Sequence, residues 1–362
     1  MQNNRCCIIM AGGVGSRFWP LSRNERPKQF LDILGVGKTF IQQTYERMVK
    51  IVPKENILVV TGSIHKELVK EQLPELSDEQ ILLEPLRRNT APCIAYATYK
   101  LLIKKPDAAV LVAPSDHLVL NEPEFVEVVN ECLSYADETK GLVTIGIKPT
   151  RPETGYGYIQ VNPKKPLADA PNAYKVKTFT EKPNAEMAKV FMDSGEFFWN
   201  SGLFIWTLQT IKQELENSLP EVASLFSAGK DVYYTPQEDE FIADAYAECR
   251  NISIDYGVME KAKNVSVFCA DFGWSDLGTW GSLYLHSQKD EAKNVVEAKN
   301  VLLKDVSSSM IKSTTNRLLV VKELDNFLVV DTKDTLFICP RGNDDEIKDF
   351  IGDTLLNKPD YA

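Results

Sequence analysis

Directly after the apolar run Cys6–Met10 the chain reads AGGVGSRFWPLSRNERPKQF, from Ala11 to Phe30. Gly12, Gly13 and Gly15 open this stretch, and Arg17, Arg23, Arg26 and Lys28 follow with only Glu25 to offset them. A loop leaving the carboxyl end of a buried parallel strand lies where open α/β sheets bind ligands. Glycines there admit backbone angles closed to other residues and let main-chain N–H groups approach a phosphate. Two standard loops do not fit. The dinucleotide fingerprint G-x-G-x-x-G finds Gly13 and Gly15 but meets Phe18 at the third glycine, and no lysine follows at the P-loop spacing. What remains is a glycine turn followed by cations, stiffened by Pro20 and Pro27. Planar guanidinium donors with a lysine point charge suit a triphosphate. A solvated basic loop is the plain alternative.

That basic stretch stands in an acidic chain of 362 residues with a formal net charge of -10. The balance argues against nucleic acid and against an anionic membrane surface, since both need a sustained positive field. Any anion bound by the loop is therefore small and held locally. Cysteines 6, 7, 93, 132, 249, 269 and 339 are odd in number and scattered, with no C-x-x-C pair, so neither a disulfide framework nor a zinc site is indicated. No basic leader precedes an apolar core, and no run approaches the ~18 apolar residues of a membrane span. The expected location is the cytoplasm, without a membrane or nucleic-acid partner.

The elements that must position these residues follow from hydrophobic periodicity. Short apolar runs (CCIIMA, NILVVTG, QILLEP, AAVLVAPSDH, GLVTIGI) alternate with helical spacing at 39–52, 65–73, 90–105 and 123–138. This predicts an α/β fold with a Rossmann-like, mostly parallel mixed sheet and helices on both faces. Further strands are expected in GYGYIQVN, YKVKTFTEKP and FWNSGLFIWT around a helix at 184–195, and 211–262 reads as largely helical. From 294 to 340 the pattern changes to repeated VxV and LLVV runs with turn residues between them. The expected division is a catalytic domain over 1–284 and a small β-rich, β-helix-like domain over 285–362 with a final helix at 344–351.

GGVGSRFWPLSRNERPKQF resembles the signature of the sugar-1-phosphate nucleotidyltransferases, and its WPLSR…PKQF form is similar to the mannose-1-phosphate guanylyltransferase branch. Further matches follow in order: EPLRRNTAPCIA, APSDH, TGYGYI, FTEKP, WNSGLFIW, SIDYGVMEKA and WSDLGTW. The resemblance implies the transfer of GMP from GTP to mannose 1-phosphate, giving GDP-mannose and pyrophosphate. It implies that Ala11, Gly12, Gly13, Gly15 and Ser16, with Ser115, hold the nucleotide, and that Arg17 and Lys28 grip its phosphates. It places Lys182 on the sugar phosphate, and Gly157, Glu181 and Asn200 against the sugar. Glu84, Arg88, Asn89 and Thr90, between a strand and a helix starting at Asn89 or Thr90, have donors and acceptors for the base. Arg87 stands where the family commonly has glycine, which changes the local backbone expectation.

Asp116 ends an apolar run and belongs at the carboxyl end of a central strand. With Asp276 it is implied to share Mg²⁺, which suits one or two carboxylates plus phosphates and waters. Taken singly, each aspartate also reads as a cap or turn former. His117 reads as a neighbour that orients the loop: a sugar phosphate has its second pKa near ~6 and needs little help from a base. The resemblance also implies a homodimer. Arg23, Arg26 and Asp255 carry no assigned role. Related enzymes using another sugar phosphate or nucleotide, and a non-catalytic nucleotide-sugar sensor, are the alternatives.

Overall fold

The computed structural model describes residues 4–342, 346–358 and 361. The chain forms two compact units, one built from 1–12 and 42–274 and the other from 13–41 and 275–362.

The larger unit is organised by strands β1 (Arg5–Met10), β2 (Ile57–Gly62), β3 (Ile81–Glu84) and β4 (Ala109–Pro114). They run parallel in the order β3-β2-β1-β4, with Met10 level with Val60 and Pro114, and Gly62 level with Glu84. Their carboxyl ends therefore share one edge of the sheet. The sheet continues through β5 (Leu142–Ile147), β6 (Gly157–Gln160), β7 (Ala170–Lys175), β8 (Thr178–Glu181), β9 (Phe197–Thr207) and β10 (Val265–Ala270). The long β9 lies between β4 and β5 and is antiparallel to both, so the parallel order is interrupted as a mixed sheet requires.

Consecutive residues of the central strands are all buried: Cys6, Cys7, Ile8 and Ile9 in β1, and Val110 to Val112 in β4. Successive side chains of a strand point to opposite faces, so both faces of the sheet are covered. On one face Cys6, Ile8, Val110 and Val112 pack with helix α1 (Thr90–Lys104) and with α2 (Leu208–Ser218), α3 (Pro220–Ser227) and α4 (Glu238–Glu248). Asn89 caps α1 by accepting the Thr90 N–H, which satisfies one of the donors a helix start leaves orphaned.

A buried polar cluster ties α1 to α4. Glu238 accepts from the Lys100 ammonium and the Tyr96 hydroxyl, both at 2.6 Å, and from the Tyr234 backbone at 2.7 Å. Lys100 and Glu238 side chains are 6% and 8% exposed, so neither charge has water to fall back on. Such a pair need not exceed an apolar replacement in stability, but removing one partner strands the other.

The smaller unit contains a parallel β-solenoid, as the repeated apolar runs predict. Its strands are β11 (Val295–Glu297), β12 (Val301–Lys304), β13 (Met310–Ser313), β14 (Leu319–Lys322) and β15 (Phe327–Asp331), closed by antiparallel β16 (Leu336–Pro340). Val301 pairs with Leu319, Ser307 with Asp325 and Met310 with Leu328, the same step along the chain each time. Corners recur with that step too, at Asp305 and Glu323 and at Ser308 and Asn326, all with positive φ. Val306, Ile311, Leu319 and Val329 fill the interior. Helix α5 (Glu346–Asn357) follows; residues 344 and 345 of the helix expected at 344–351 lie outside the described residues.

Glu238→Ala is expected to cost about 3–5 kcal/mol of unfolding free energy by leaving Lys100 buried and unpaired. Urea denaturation at pH 7 measures it, and a loss below ~1 kcal/mol contradicts the role given to this cluster.

Candidate functional site

The carboxyl edge of the parallel strands carries the first group of candidate residues. Ala11 continues β1 by donating its N–H to Val60 O (2.7 Å), and its carbonyl accepts from the Thr61 hydroxyl. Gly12 comes next, and a Cβ there would lie 2.9 Å from Glu84 Oε2. The absence of a side chain therefore brings the loop backbone against the Glu84 carboxyl. Glu84 is buried, accepts from the Tyr246 hydroxyl (3.0 Å), and is pushed up to about 7 by burial, which Tyr246 and Arg87 only partly offset. Ser115 donates its N–H to Met10 O, and its carbonyl accepts from the Thr44 hydroxyl. This pins the turn after β4 that carries Asp116.

His117 Nδ1 accepts from the Trp274 indole (3.2 Å), so its remaining proton is assigned to Nε2, 4.0 Å from Asp116 Oδ1. The other residues proposed for the base are engaged with the protein itself. Arg88 donates to Tyr246 O and Ala247 O at the end of α4, Asn89 caps α1, and the Thr90 hydroxyl accepts the Ile254 N–H. They lock the strand-to-helix turn to the helical segment behind it.

A second group gathers where β8 and β9 end and begin. Gly157 leaves no room for a side chain, because a Cβ there would overlap Glu181 Oε2. Lys182 follows Glu181 with φ +47°, its ammonium 2.9 Å from Glu181 Oε1 and its side chain 60% exposed. Asn200 sits where the β5–β9 register shifts, next to Gly202 at φ +72°. Its Oδ1 accepts from the Thr144 hydroxyl and the Gly202 N–H, while Nδ2 donates to Asp255 Oδ1 at 3.0 Å. The amide orientation is thus set by partners on three segments. Asp255 opens a π-helical turn, and its carboxyl rises to about 6, first through burial and then through the negative Glu181 nearby. Its sequence context, SIDYGVME, leaves it open between a helix cap and a group that supports a neighbouring site residue; the fold aims it at Asn200.

The third group lies in the smaller unit. Gly15 has φ +59°, and a Cβ on it would overlap Lys28 Cβ. Ser22 Oγ lies 2.8 Å from Gly15 O and 3.1 Å from Val14 O, and Gln29 donates to Gly13 O, so the glycine turn is held by the segment it feeds. Lys28 is 2% exposed; its ammonium donates to Asp276 O (2.5 Å) and faces the Phe18 and Phe40 rings at 5.8 and 5.1 Å. Asp276 accepts the Gly278 N–H through Oδ1. Ser16 and Arg17 begin a short turn to Phe18, and Arg17 forms no hydrogen bond or ion pair among the described residues. Arg23 differs: its fork grips Asp334 on both oxygens and it also donates to Pro20 O and Thr335, which anchors the loop. Arg26 is exposed. Among the described residues no three His, Cys, Asp or Glu side chains cluster as a metal cage.

Comparisons with known proteins show the family to which the chain belongs. The pattern of the nucleotidyl transferase family matches residues 6–293. A mannose-1-phosphate guanylyltransferase of Salmonella montevideo is 38% identical over 353 residues, covering 95% of this chain and 72% of that protein. One from Escherichia coli is 34% identical over 349 residues, with 95% and 74% covered. Among solved structures, one described as a mannose-1-phosphate geranyltransferase from Thermus thermophilus superposes with a TM-score of 0.86 at 30% identity, covering 97% of this chain and 99% of that one.

Two outcomes test the geometry. Gly15→Ala is expected to lower stability by roughly 2 kcal/mol through the left-handed backbone and the overlap with Lys28, read by thermal unfolding; an unchanged midpoint defeats the packing argument. Asp255 is protonated more readily in the folded state than its ordinary value of 3.8 allows. Its contribution is full below pH ~4 and is lost as pH rises through about 6. Asp255→Asn should therefore gain on the parent by roughly 2 kcal/mol between pH 4 and 7.5. Parallel stability curves would show that the carboxyl is not perturbed.

Proposed function

Because this chain belongs to the nucleotidyl transferase family, we propose that it transfers GMP from GTP to mannose 1-phosphate, releasing pyrophosphate. Likeness to the guanylyltransferases across nearly the whole chain carries the choice of substrates. The chemistry rests on the buried Lys28 ammonium, held by Asp276 O and backed by Gly15.

In this reading an ionised oxygen of the sugar phosphate attacks the α-phosphorus, the bond to the bridging oxygen of the β-phosphate breaks, and pyrophosphate leaves with that electron pair. The reaction joins two anions, so positioning and charge neutralisation dominate. Lys182, exposed beside Glu181, holds the incoming sugar phosphate, while Gly157, Glu181 and Asn200 contact the sugar. Asn200 presents its amide in one fixed orientation, which favours discrimination among hydroxyl configurations. Gly12, Gly13, Gly15 and Ser16 offer backbone N–H groups to the triphosphate, and Arg17 with Lys28 takes up the charge of the leaving pyrophosphate. Ala11, Glu84, Ser115 and the Arg88–Thr90 turn line the nucleotide side.

Asp116 and Asp276 are the residues that would hold Mg²⁺. Among the described residues no three His, Cys, Asp or Glu side chains cluster as a metal cage, and one or two carboxylates suit an ion that keeps waters and phosphate oxygens. Such an ion supplies charge neutralisation at the transferred phosphate. Among the described residues no helix is long and apolar enough to cross a membrane. A cytoplasmic homodimer completes the proposal.

Pyrophosphate release across a matrix of nucleoside triphosphates and sugar 1-phosphates is expected to peak at GTP with mannose 1-phosphate; a peak elsewhere replaces these substrates. Lys28→Ala should lower kcat by about 10²–10³ with the far-UV spectrum retained, and near-normal turnover removes Lys28 from the mechanism.

A further inference from the structure

The segment proposed to grip the triphosphate does not stand alone. Residues 13–41 belong to the same compact unit as the C-terminal solenoid and α5. Trp19, two residues after Arg17, is the centre of the connection. It is 7% exposed, its indole N–H donates to Tyr361 O at 2.9 Å, and its carbonyl accepts from the Trp280 indole at 3.3 Å. Its ring meets Phe337 of β16 edge-on at 5.3 Å, and Phe337 meets Phe350 of α5 in the same way at 5.7 Å. On the same helix Ile351 and Leu355 close a small cavity of about 30 Å³ whose other wall includes Val14, Ser16, Trp19 and Ser22. The turn that presents Ser16 and Arg17 is thus covered on one side by α5.

A helix of this length is marginal in water and depends on the surface it docks against. Only part of α5 is buried: Ile347 is 2% exposed, whereas Leu356 is 83% exposed. Docking of α5 and ordering of the Val14–Asn24 turn therefore draw on the same contacts. We propose that α5 is a positioning element for nucleotide binding, acting through Trp19 and Val14 to hold the glycine turn in the conformation that presents Arg17 and Lys28 to the triphosphate. By thermodynamic reciprocity, a nucleotide that needs the ordered turn also stabilises the docked helix. The inference rests on the reading of residues 13–28 as the triphosphate grip.

The test compares the parent with Ile351→Ser and Leu355→Ser on the docked face and with Leu356→Asp on the outward face. Steady-state kinetics are combined with amide hydrogen exchange. The docked-face variants are expected to raise KM for GTP about tenfold, within the usual range of coupling between sites. KM for mannose 1-phosphate should stay within about twofold, since α5 does not act on that side. Amides of residues 14–24 should exchange faster in these variants, and GTP should slow exchange across 347–357 in the parent. Leu356→Asp should match the parent in every readout. The Leu355 position is 49% exposed, so its variant remains informative where Ile351→Ser fails to fold. A parent that releases no pyrophosphate with GTP and mannose 1-phosphate sinks the functional reading. An active parent whose docked-face variants share its GTP KM and its exchange at 14–24 overturns the role given to α5.

Discussion

An ammonium taken out of water is costly unless hydrogen bonds and nearby negative density replace its hydration. At Lys28 those replacements include the Asp276 carbonyl and the faces of Phe18 and Phe40. Gly15 provides the space, because any side chain there would overlap the lysine stem. Glycine turn, lysine and the Asp276 segment are consequently one interlocked object, although Lys28 and Asp276 are 248 positions apart in the sequence. Gln29 on Gly13 and Ser22 on the Val14–Gly15 carbonyls tighten the same object from within. In the proposed reaction a loop so held would offer its N–H groups and cations with little reordering, as charge stabilisation in phosphoryl transfer requires.

The larger unit positions its candidate residues by a different device. Parallel strands bring Ala11, Glu84 and the Ser115–Asp116 turn to one edge, and the antiparallel β9 delivers Asn200 at its register shift. Two carboxyls in this unit, Glu84 and Asp255, are raised to about 7 and about 6 mainly by burial. Each lies against a residue proposed to contact substrate, Gly12 in one case and Asn200 in the other. Carboxyls kept at a cost to stability are characteristic of binding and catalytic sites. The buried Lys100–Glu238 pair has the opposite character: the two charges answer each other, Tyr96 and the Tyr234 backbone add donors to the carboxylate, and the pair joins two helices.

Much of the fold was legible because the alternation of apolar runs and helical spacing is a direct consequence of a sheet covered on both faces. The start of α1 was legible to within one residue, Asn89 or Thr90, and the structure makes Asn89 the cap and Thr90 the first helical residue. Repeated VxV runs announced the solenoid, since a coil that stacks on its neighbour must repeat its apolar positions. The antiparallel placement of β9 was not legible, because periodicity records burial and not direction. The basic stretch was also only half readable. Four cations of similar appearance divide in space into a half-exposed Arg17, a structural Arg23 bound to Asp334, an exposed Arg26 and a buried Lys28.

From its sequence alone this protein's class was determined: residue types at fixed short spacings specify a glycine turn, a family signature and an α/β sheet with a β-solenoid, because those features depend on neighbours along the chain. Tertiary structure alone decided which of those residues share an environment. It set Asp255 on Asn200, committed Arg88 to the end of α4, filled with Leu219 the space where a Cβ on Gly257 would fall, and brought Asp276 O to Lys28. Such pairings join distant parts of the chain, and their burial and charge coupling exist only once the fold has closed around them.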